Sequence, residues 1–400
     1  MEKLRKIVTQ TAATSDSNLH SLPFLHRSLA PLLSAASSLY KLSLFLRRKL
    51  YLHGVLHQHR LPVPVISVGN LTWGGNGKTP MTEFLAMVMD GAGIPPLILT
   101  RGYAGGDEAK MLHRHLLHTS TRIGMGANRI TTAASTLERY GRMDTSLIFE
   151  KLSSSHRYES NHENKKVGVV ILDDGMQHLS LFRDVEIVML NSLMPWGNNH
   201  LLPRGSLREP VSALGRADIV VIHHADLASK AQLGIIESTL EKECASASIY
   251  FTRLVPSHLF EVKDPHSKLP LSIINNIVVL CVSGIGFPDA FVQSISKIGP
   301  LHVDRLDFSD HHVIRADDIG IIRERLEGLQ DGFEAKAIVV VTEKDYDRDP
   351  ITLVEQDDLT ILVLCSSIQI IPFKDHTEED FRMQLSRLLI DKHERHGYVK

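Results

Sequence analysis

Pro64-Val65-Ile66-Ser67-Val68-Gly69-Asn70-Leu71-Thr72-Trp73-Gly74-Gly75-Asn76-Gly77-Lys78-Thr79 reads as a short apolar strand running into a glycine-rich turn, and a helix-forming run follows from Pro80. Strand, loop and helix in that order, with Lys-Thr closing the loop, are the context of a phosphate-binding loop. Such a loop wraps a polyphosphate in consecutive backbone N–H groups. Gly74, Gly75 and Gly77 then serve by lacking a Cβ, Lys78 supplies a point charge, and Thr79 offers a hydroxyl for Mg²⁺. Thr72 stands where the Gly-x4-Gly-Lys-Ser/Thr spacing has its first glycine, and Asn76 lies between the last two glycines. A ligand-free glycine turn needs none of the flanking features, so 72–79 is read as a nucleotide site.

Outward from the loop, residues 96–100 form a second apolar strand, followed by Arg101-Gly102-Tyr103. Gly105-Gly106-Asp107-Glu108 opens a helical run through 110–117. Acids in a first helical turn often only complement the helix dipole. Here they lie just past a strand end, on the side that carries the P-loop, where α/β sheets bind ligands. The run 167–172 is a buried strand ending in Asp173-Asp174, with Gly175-Met176-Gln177-His178 at the same tip. A carboxylate on such a tip reaches Mg²⁺ or its water in P-loop enzymes. After a further strand at 184–190, the polar loop 201–210 offers Arg208 and Glu209 as candidates for phosphate or metal contacts, and 218–222 is the next strand. This alternation predicts an α/β fold, a P-loop NTPase-like, doubly wound and mostly parallel sheet.

Three prolines, Pro256, Pro265 and Pro270, punctuate a stretch read as a linker over 256–275. The organisation expected is an N-terminal extension over 1–30, a P-loop domain over 31–255, the linker, and a smaller α/β domain over 276–400. Strands are expected there at 277–282, 337–341 and 359–364. Gly284 and Gly286 read as a tight turn, since the third glycine of a dinucleotide fingerprint is missing. Asp310-His311-His312 gathers an acid and two imidazoles, but no second cluster at ligand spacing accompanies it. A histidine orienting a catalytic carboxylate therefore fits better than zinc. Thr342-Glu343-Lys344-Asp345 ends a strand in charge.

With 43% hydrophobic and 22% charged residues among 400, the chain is an ordinary globular protein, and its net charge of −2 gives no pull toward nucleic acid. Cys244, Cys281 and Cys365 are too scattered for a disulfide framework or a zinc ribbon, which suits a reducing compartment. No uninterrupted apolar run reaches spanning length. Lys3, Arg5, Lys6 and Arg27 among Ser, Thr and Leu leave an organellar targeting segment open, against Glu2 and Asp16. Residues 32–51 read as one helix entered through Pro31, with Leu32, Leu33, Ala36, Leu39, Tyr40, Leu42, Leu46, Leu50 and Tyr51 on a broad apolar face. That face suits either a surface helix packed on the core or an interfacial membrane helix with basic flanks.

Taken in order, the P-loop stretch through Pro80, Arg101-Gly102-Tyr103, Gly106-Asp107-Glu108, Asp173 to His178, Leu207-Arg208-Glu209-Pro210, Asp310-His311-His312 and Thr342 to Asp345 resemble the tetraacyldisaccharide 4'-kinase (lipid A 4'-kinase) family. The resemblance runs over about 30–385, and Thr72 belongs to its pattern. It implies transfer of the ATP γ-phosphate, with Mg²⁺, to the 4'-hydroxyl of a tetraacyldisaccharide 1-phosphate in lipid A biosynthesis. Asp107 would be the base, paired with His311, and Lys78 a catalytic member of the nucleotide loop. Thr79, Asp173, Asp174 and Glu209 would be linked to the metal, and Tyr103, Gln177, His178 and Arg208 to the substrate. Such a lipid implies an enzyme peripheral to a membrane, with the helix at 32–51 in contact. Only Ala104 and Gly105 separate Tyr103 from Gly106, shorter than in bacterial members and similar to plant homologues, which implies a mitochondrial location rather than the cytoplasmic face of a bacterial inner membrane. The alternative class is a P-loop GTPase or metallochaperone-type regulator, but Thr342-Glu343-Lys344-Asp345 carries its lysine one place too late for guanine recognition. A non-enzymatic adaptor with a relic P-loop is a third reading.

Overall fold

The computed structural model describes residues 7–8, 10–12, 14, 16–102, 106–154, 166–373 and 376–396. Tyr103, Ala104, Gly105 and most of the polar run 153–166 lie outside them. Helix α1 (Phe24–Leu52) precedes β1 (Val65–Asn70), α2 (Lys78–Gly91), β2 (Pro96–Thr100), α3 (Asp107–His115), β3 (Arg122–Met125), α4 (Arg129–Tyr140) and α5 (Thr145–Ser153). Then come β4 (Val169–Asp173), β5 (Val185–Asn191), β6 (Ile219–His223), α6 (Lys230–Glu243), β7 (Ser248–Glu261) and β8 (Asp264–Leu269). The chain continues through β9 (Val278–Ser283), α7 (Pro288–Ile298), β10 (His302–Asp307), α8 (Ala316–Phe333), β11 (Ala337–Thr342), α9 (Glu343–Arg348), α10 (Pro350–Val354), β12 (Ile361–Ile371) and α11 (Glu378–His396).

All the strands join one 12-stranded sheet in the order β10-β9-β11-β12-β7-β6-β5-β1-β4-β2-β3, with β8 on β7. Pairings are parallel except β12 on β7 and β7 on β8. Period-two alternation builds the core. Ile66 and Val68 of β1 and Val169 and Ile171 of β4 join Leu85 and Met89 of α2 on one face, while Val65, Val170 and Leu172 face the other way. Strands buried on both faces are the expected state of a parallel sheet covered by helices.

The linker expected over 256–275 is not irregular chain but regular secondary structure. Residues 256–261 continue β7, 264–269 form β8, and Leu271–Ile274 is a 3-10 turn. β7 pairs with β12 along nearly its whole length, and the register shifts between Cys365 and Ser366, opposite Pro256 and His258. A bulge accommodates the proline, which has no N–H for the ladder. Nor does the chain from 276 stay in one core: Ile368, Ile370, Phe381, Leu385 and Leu389 return to the cluster around β1 and α2. The expected carboxy-terminal unit thus lends β12 and α11 to the amino-terminal one.

Helix α1 also differs from expectation. It starts at Phe24, keeps Pro31 inside it, and is long and apolar enough to cross a membrane by length and composition. Its protein-facing stripe is Ala30, Leu33, Ser37, Tyr40 and Leu44, while Leu32, Leu39, Leu42, Phe45, Leu46 and Leu50 are exposed. The apolar face read from the sequence is thus split, and most of its leucines point away from the protein.

Candidate active site

The loop between β1 and α2 has the shape its residues require. Gly77 caps α2 at φ 77°, and a Cβ there would lie 2.6 Å from the His223 ring. Left-handed backbone and a wall at this distance both demand glycine. Asn76 Nδ2 donates to the Gly74 carbonyl at 2.8 Å, and Asn70 Nδ2 donates to the Thr72 carbonyl at 2.7 Å, so side-chain amides brace the turn. Thr72 and Thr79 are both buried.

Asp173 and Asp174 stand at the tip of β4, beside the loop. Asp174 takes φ 53°, a left-handed turn that a non-glycine residue adopts at a cost. There its carboxylate meets Lys78 Nζ at 3.6 Å and accepts two hydrogen bonds from Arg208, at 2.8 and 2.7 Å. Burial pushes the Asp174 acid up, but Lys78 and Arg208 outweigh it and hold it at about 2. Asp173 goes the other way: burial, then Glu108 and Asp174, push it up to about 7. Its Oδ2 is buried and accepts no hydrogen bond, while Thr82 Oγ1 approaches Oδ1 at 3.4 Å and Arg129 donates to its carbonyl at 2.8 Å. A buried carboxylate oxygen without a partner suits a cation. Burial pulls Lys78 below the ordinary lysine range despite Asp174.

The second constellation is at the start of α3. Asp107 is buried and receives Arg348 at 3.1 and 3.3 Å, while His311 Nδ1 stands 3.8 Å from its Oδ2. That separation is an ion pair one short movement from a hydrogen bond. Burial raises Asp107, but His311, Lys344 and Arg348 bring it below the usual carboxylate range, and Asp107 in turn raises His311. Glu108 pairs with Lys344 at 3.0 Å. Because Glu108 also acts electrostatically on Lys78 and Asp173, it ties the two constellations into one site.

The expected residues are therefore mostly brought together, with changes of place. Arg208 holds Asp174 and also donates to Asn70, so it braces the acid. Glu209 is in an ion pair with Arg216 at 2.8 Å and accepts from Gln177 at 3.1 Å, so protein donors engage its carboxylate in this structure. Gln177 also donates to the Asn70 carbonyl at 3.0 Å. Burial and the surrounding Arg129, Arg183, Arg47 and Arg101 push His178 down to about 4, so it is neutral there. Tyr103 lies outside the described residues.

Three participants escaped the sequence. Arg348, buried between the sheet's two halves, joins Asp107 to Asp345 at 2.9 Å and to the Gly284 and His312 carbonyls at 3.2 and 2.8 Å. Its signal was the i,i+3 spacing from Asp345 on one short helix. Gly286, read as a plain turn residue, abuts the loop, where a Cβ would lie 2.9 Å from Gly74 Cα. His223 ends β6 against Gly77, with Nδ1 3.0 Å from Thr252 Oγ1. Helix α1 reaches the site too: Tyr40 donates to the Arg208 carbonyl at 2.8 Å and Arg47 to the Gln177 carbonyl at 3.1 Å. Lys344 and Asp345 are engaged with Glu108 and with the Gly284 N–H, so this motif closes the site instead of reading a guanine base.

The chain is similar to known proteins over most of its length. The sequence model of the family described as tetraacyldisaccharide-1-P 4'-kinase matches residues 29–388. A protein of Arabidopsis thaliana named probable tetraacyldisaccharide 4'-kinase, mitochondrial, is 51% identical over 393 residues, 98% of this chain and 99% of its own length. The tetraacyldisaccharide 4'-kinase of Halothermothrix orenii is 32% identical and covers 83% of this chain and 87% of its own. Among solved structures, LpxK from Aquifex aeolicus in complex with ATP superposes with a TM-score of 0.58 at 22% identity, over 92% of this chain and all of that one, which bears on the fold. Matched over 29–388 by the family's model and along nearly its whole length by a relative, the chain belongs to the tetraacyldisaccharide-1-P 4'-kinase family.

Proposed function

We propose that this protein phosphorylates the 4'-hydroxyl of a tetraacyldisaccharide 1-phosphate from ATP, the lipid A 4'-kinase reaction. The observation that carries the reading is the meeting of a P-loop lysine and paired acids with a buried carboxylate, Asp107, held ionised by His311 and Arg348. Phosphoryl transfer asks mainly for charge neutralisation, in-line placement and an acceptor for the hydroxyl proton. The loop N–H groups and Lys78 hold the nucleotide phosphates. Asp107 takes the 4'-hydroxyl proton as the new O–P bond forms, the bond from γ-phosphorus to the β–γ bridging oxygen breaks, and ADP leaves. Thr79, Asp173 and Asp174 fit Mg²⁺, given the partnerless Asp173 Oδ2; the ion, when bound, neutralises charge on the transferring phosphates. Arg208 and Glu209 keep Asp174 and Gln177 in place, and Gln177 and His178 border the acceptor.

The lipid acceptor suits helix α1. Its outward face carries Phe24 and Leu39, 83% and 70% exposed, and Arg48 and Lys49 flank it. Contacts from Ser37 to the Leu201 carbonyl, from Tyr40 and from Arg47 run along its length, so α1 lies along the catalytic lobe and meets the bilayer sideways instead of spanning it. Substituting Leu39, Leu42 and Phe45 together by serine is expected to lower co-sedimentation with anionic liposomes about tenfold, with KM for ATP unchanged; full sedimentation would contradict this. The name of the Arabidopsis relative supports a mitochondrial location.

Incubation of the purified protein with γ-labelled ATP and the disaccharide lipid tests the reaction. Label on the lipid, resolved by thin-layer chromatography and absent from a 4'-deoxy acceptor, is expected. Clear preference for GTP, with no label on lipid, would support a regulatory GTPase instead.

A further inference from the structure

Beside the site, reaching α2 at Glu83, lies a buried ionic cluster that the proposed reaction does not use directly. His115, the last residue of α3, stands between two carboxylates: Nδ1 is 2.9 Å from Glu83 on α2, and Nε2 is 2.5 Å from Glu343 at the start of α9. Its neighbour Arg114 pairs with the same Glu343 at 2.9 Å and with Asp347 at 2.8 Å, its guanidinium packed over the Phe260 and Tyr346 rings. Glu343 Oε2 also accepts from the Ser366 N–H at 3.3 Å, and the Cys365 thiol closes the cluster. Burial disfavours charge on His115, but Cys365 and the two carboxylates outweigh it and raise the imidazole to about 12.

The position of this cluster gives it meaning. Helix α3 carries Asp107 and Glu108 in its first turn and Arg114 and His115 in its last. Helix α9 carries Glu343, Lys344, Asp347 and Arg348, and each of these pairs back to α3. The two helices are riveted at both ends, and Glu83 adds α2, the helix that begins at Lys78. Charges buried in this way fix geometry when every partner is satisfied, and removing one leaves the others uncompensated.

We propose that His115 is a positioning residue for phosphoryl transfer, a cationic joint that locks α2, α3 and α9 together and so sets Asp107 and its partners against the nucleotide loop. The proposal rests on Asp107 as the base. His115 touches neither nucleotide nor acceptor. Its removal acts through the first turn of α3 some two helical turns away, and through the lateral placement of α2.

The test compares H115Q, the double variant E83Q/H115Q, and D107N in the full-length protein, with folding followed by circular dichroism and thermal unfolding. H115Q is expected to lower kcat about tenfold at temperatures where it is fully folded, with KM for ATP changed less than about twofold. Adding E83Q removes the orphaned carboxylate and allows a neutral side-chain pair, so E83Q/H115Q is expected to recover to within about threefold of the wild-type kcat. A purely structural role would lower the melting temperature of H115Q and leave kcat of the folded fraction intact. Folded H115Q with kcat within twofold of wild type, or no recovery in E83Q/H115Q, overturns the proposal. D107N at wild-type rate overturns the base assignment instead, whatever H115Q does.

Discussion

Lys78→Ala is expected to lower kcat/KM for ATP-dependent transfer about 10²–10³-fold, the scale seen when one preorganised charge is withdrawn from a developing anion. Lys78 is a half-buried ammonium whose ion-pair partner is Asp174, at 3.6 Å. Burial disfavours its charge, and an anion arriving in the loop would favour the charged form. The fold is expected to survive, because Asp174 keeps both hydrogen bonds from Arg208 and so remains compensated. Label transfer to lipid, with thermal unfolding as the control, decides the matter. A variant that folds and turns over at the wild-type rate would make the loop a relic and favour the adaptor reading.

Much of this site is legible because its residues lie at strand ends, where a continuous apolar run stops and polar residues begin. Ser67-Val68 into the loop, Leu172 into Asp173-Asp174, and Val341 into Thr342-Glu343 all carry that signature; β1 and β4 point one way and β11, beyond the antiparallel β12–β7 pair, points the other, and Arg348 on Asp107 joins the two sets of strand ends. Sequence order cannot reveal which charges neutralise one another across the sheet. Arg348 is 241 residues from Asp107, and its i,i+3 spacing from Asp345 fits a solvated helix turn as well as a buried clamp. Likewise Arg208 and Glu209 were read as ligands because they lie in a polar loop. In this structure their partners are Asp174 and Arg216, contacts that a polar loop does not announce. The regular structure within 256–275 has the same origin: prolines suggest irregular chain, but Pro256 sits at a bulge, Pro265 on β8, and Pro270 at the start of a 3-10 turn. Helix α1 is open in the sequence for a related reason, since amphipathicity shows that a helix has an apolar face without showing which face meets the protein. Ser37 and Tyr40, polar residues bonded to backbone carbonyls, decided it.

Asp107 and His311 should behave as one unit. Asp107→Asn is expected to lower kcat about 10²–10⁴-fold, the range for losing a general base, while leaving the fold intact because Arg348 retains Asp345 and two carbonyls. His311→Gln should cost less, about tenfold, since Arg348 and Lys344 still hold Asp107 ionised. In the double variant the second change should add no more than about threefold, as for residues that act together; independent effects would dissolve the pair. The pH profile gives a separate check. Asp107 lies below the ordinary carboxylate range, so it stays charged throughout the neutral region, and acidification toward pH 5 leaves the base in place. His311 is raised above its ordinary value: it is cationic below that raised pKa and neutral above it. As pH rises through that point, the imidazolium that orients Asp107 is lost, and kcat of the wild type is expected to fall on this alkaline limb. In H311Q there is no imidazolium to lose, so the limb should flatten while the lower rate remains. A limb unchanged by H311Q would assign the titration to another group and leave Arg348, rather than His311, as the residue that orients Asp107.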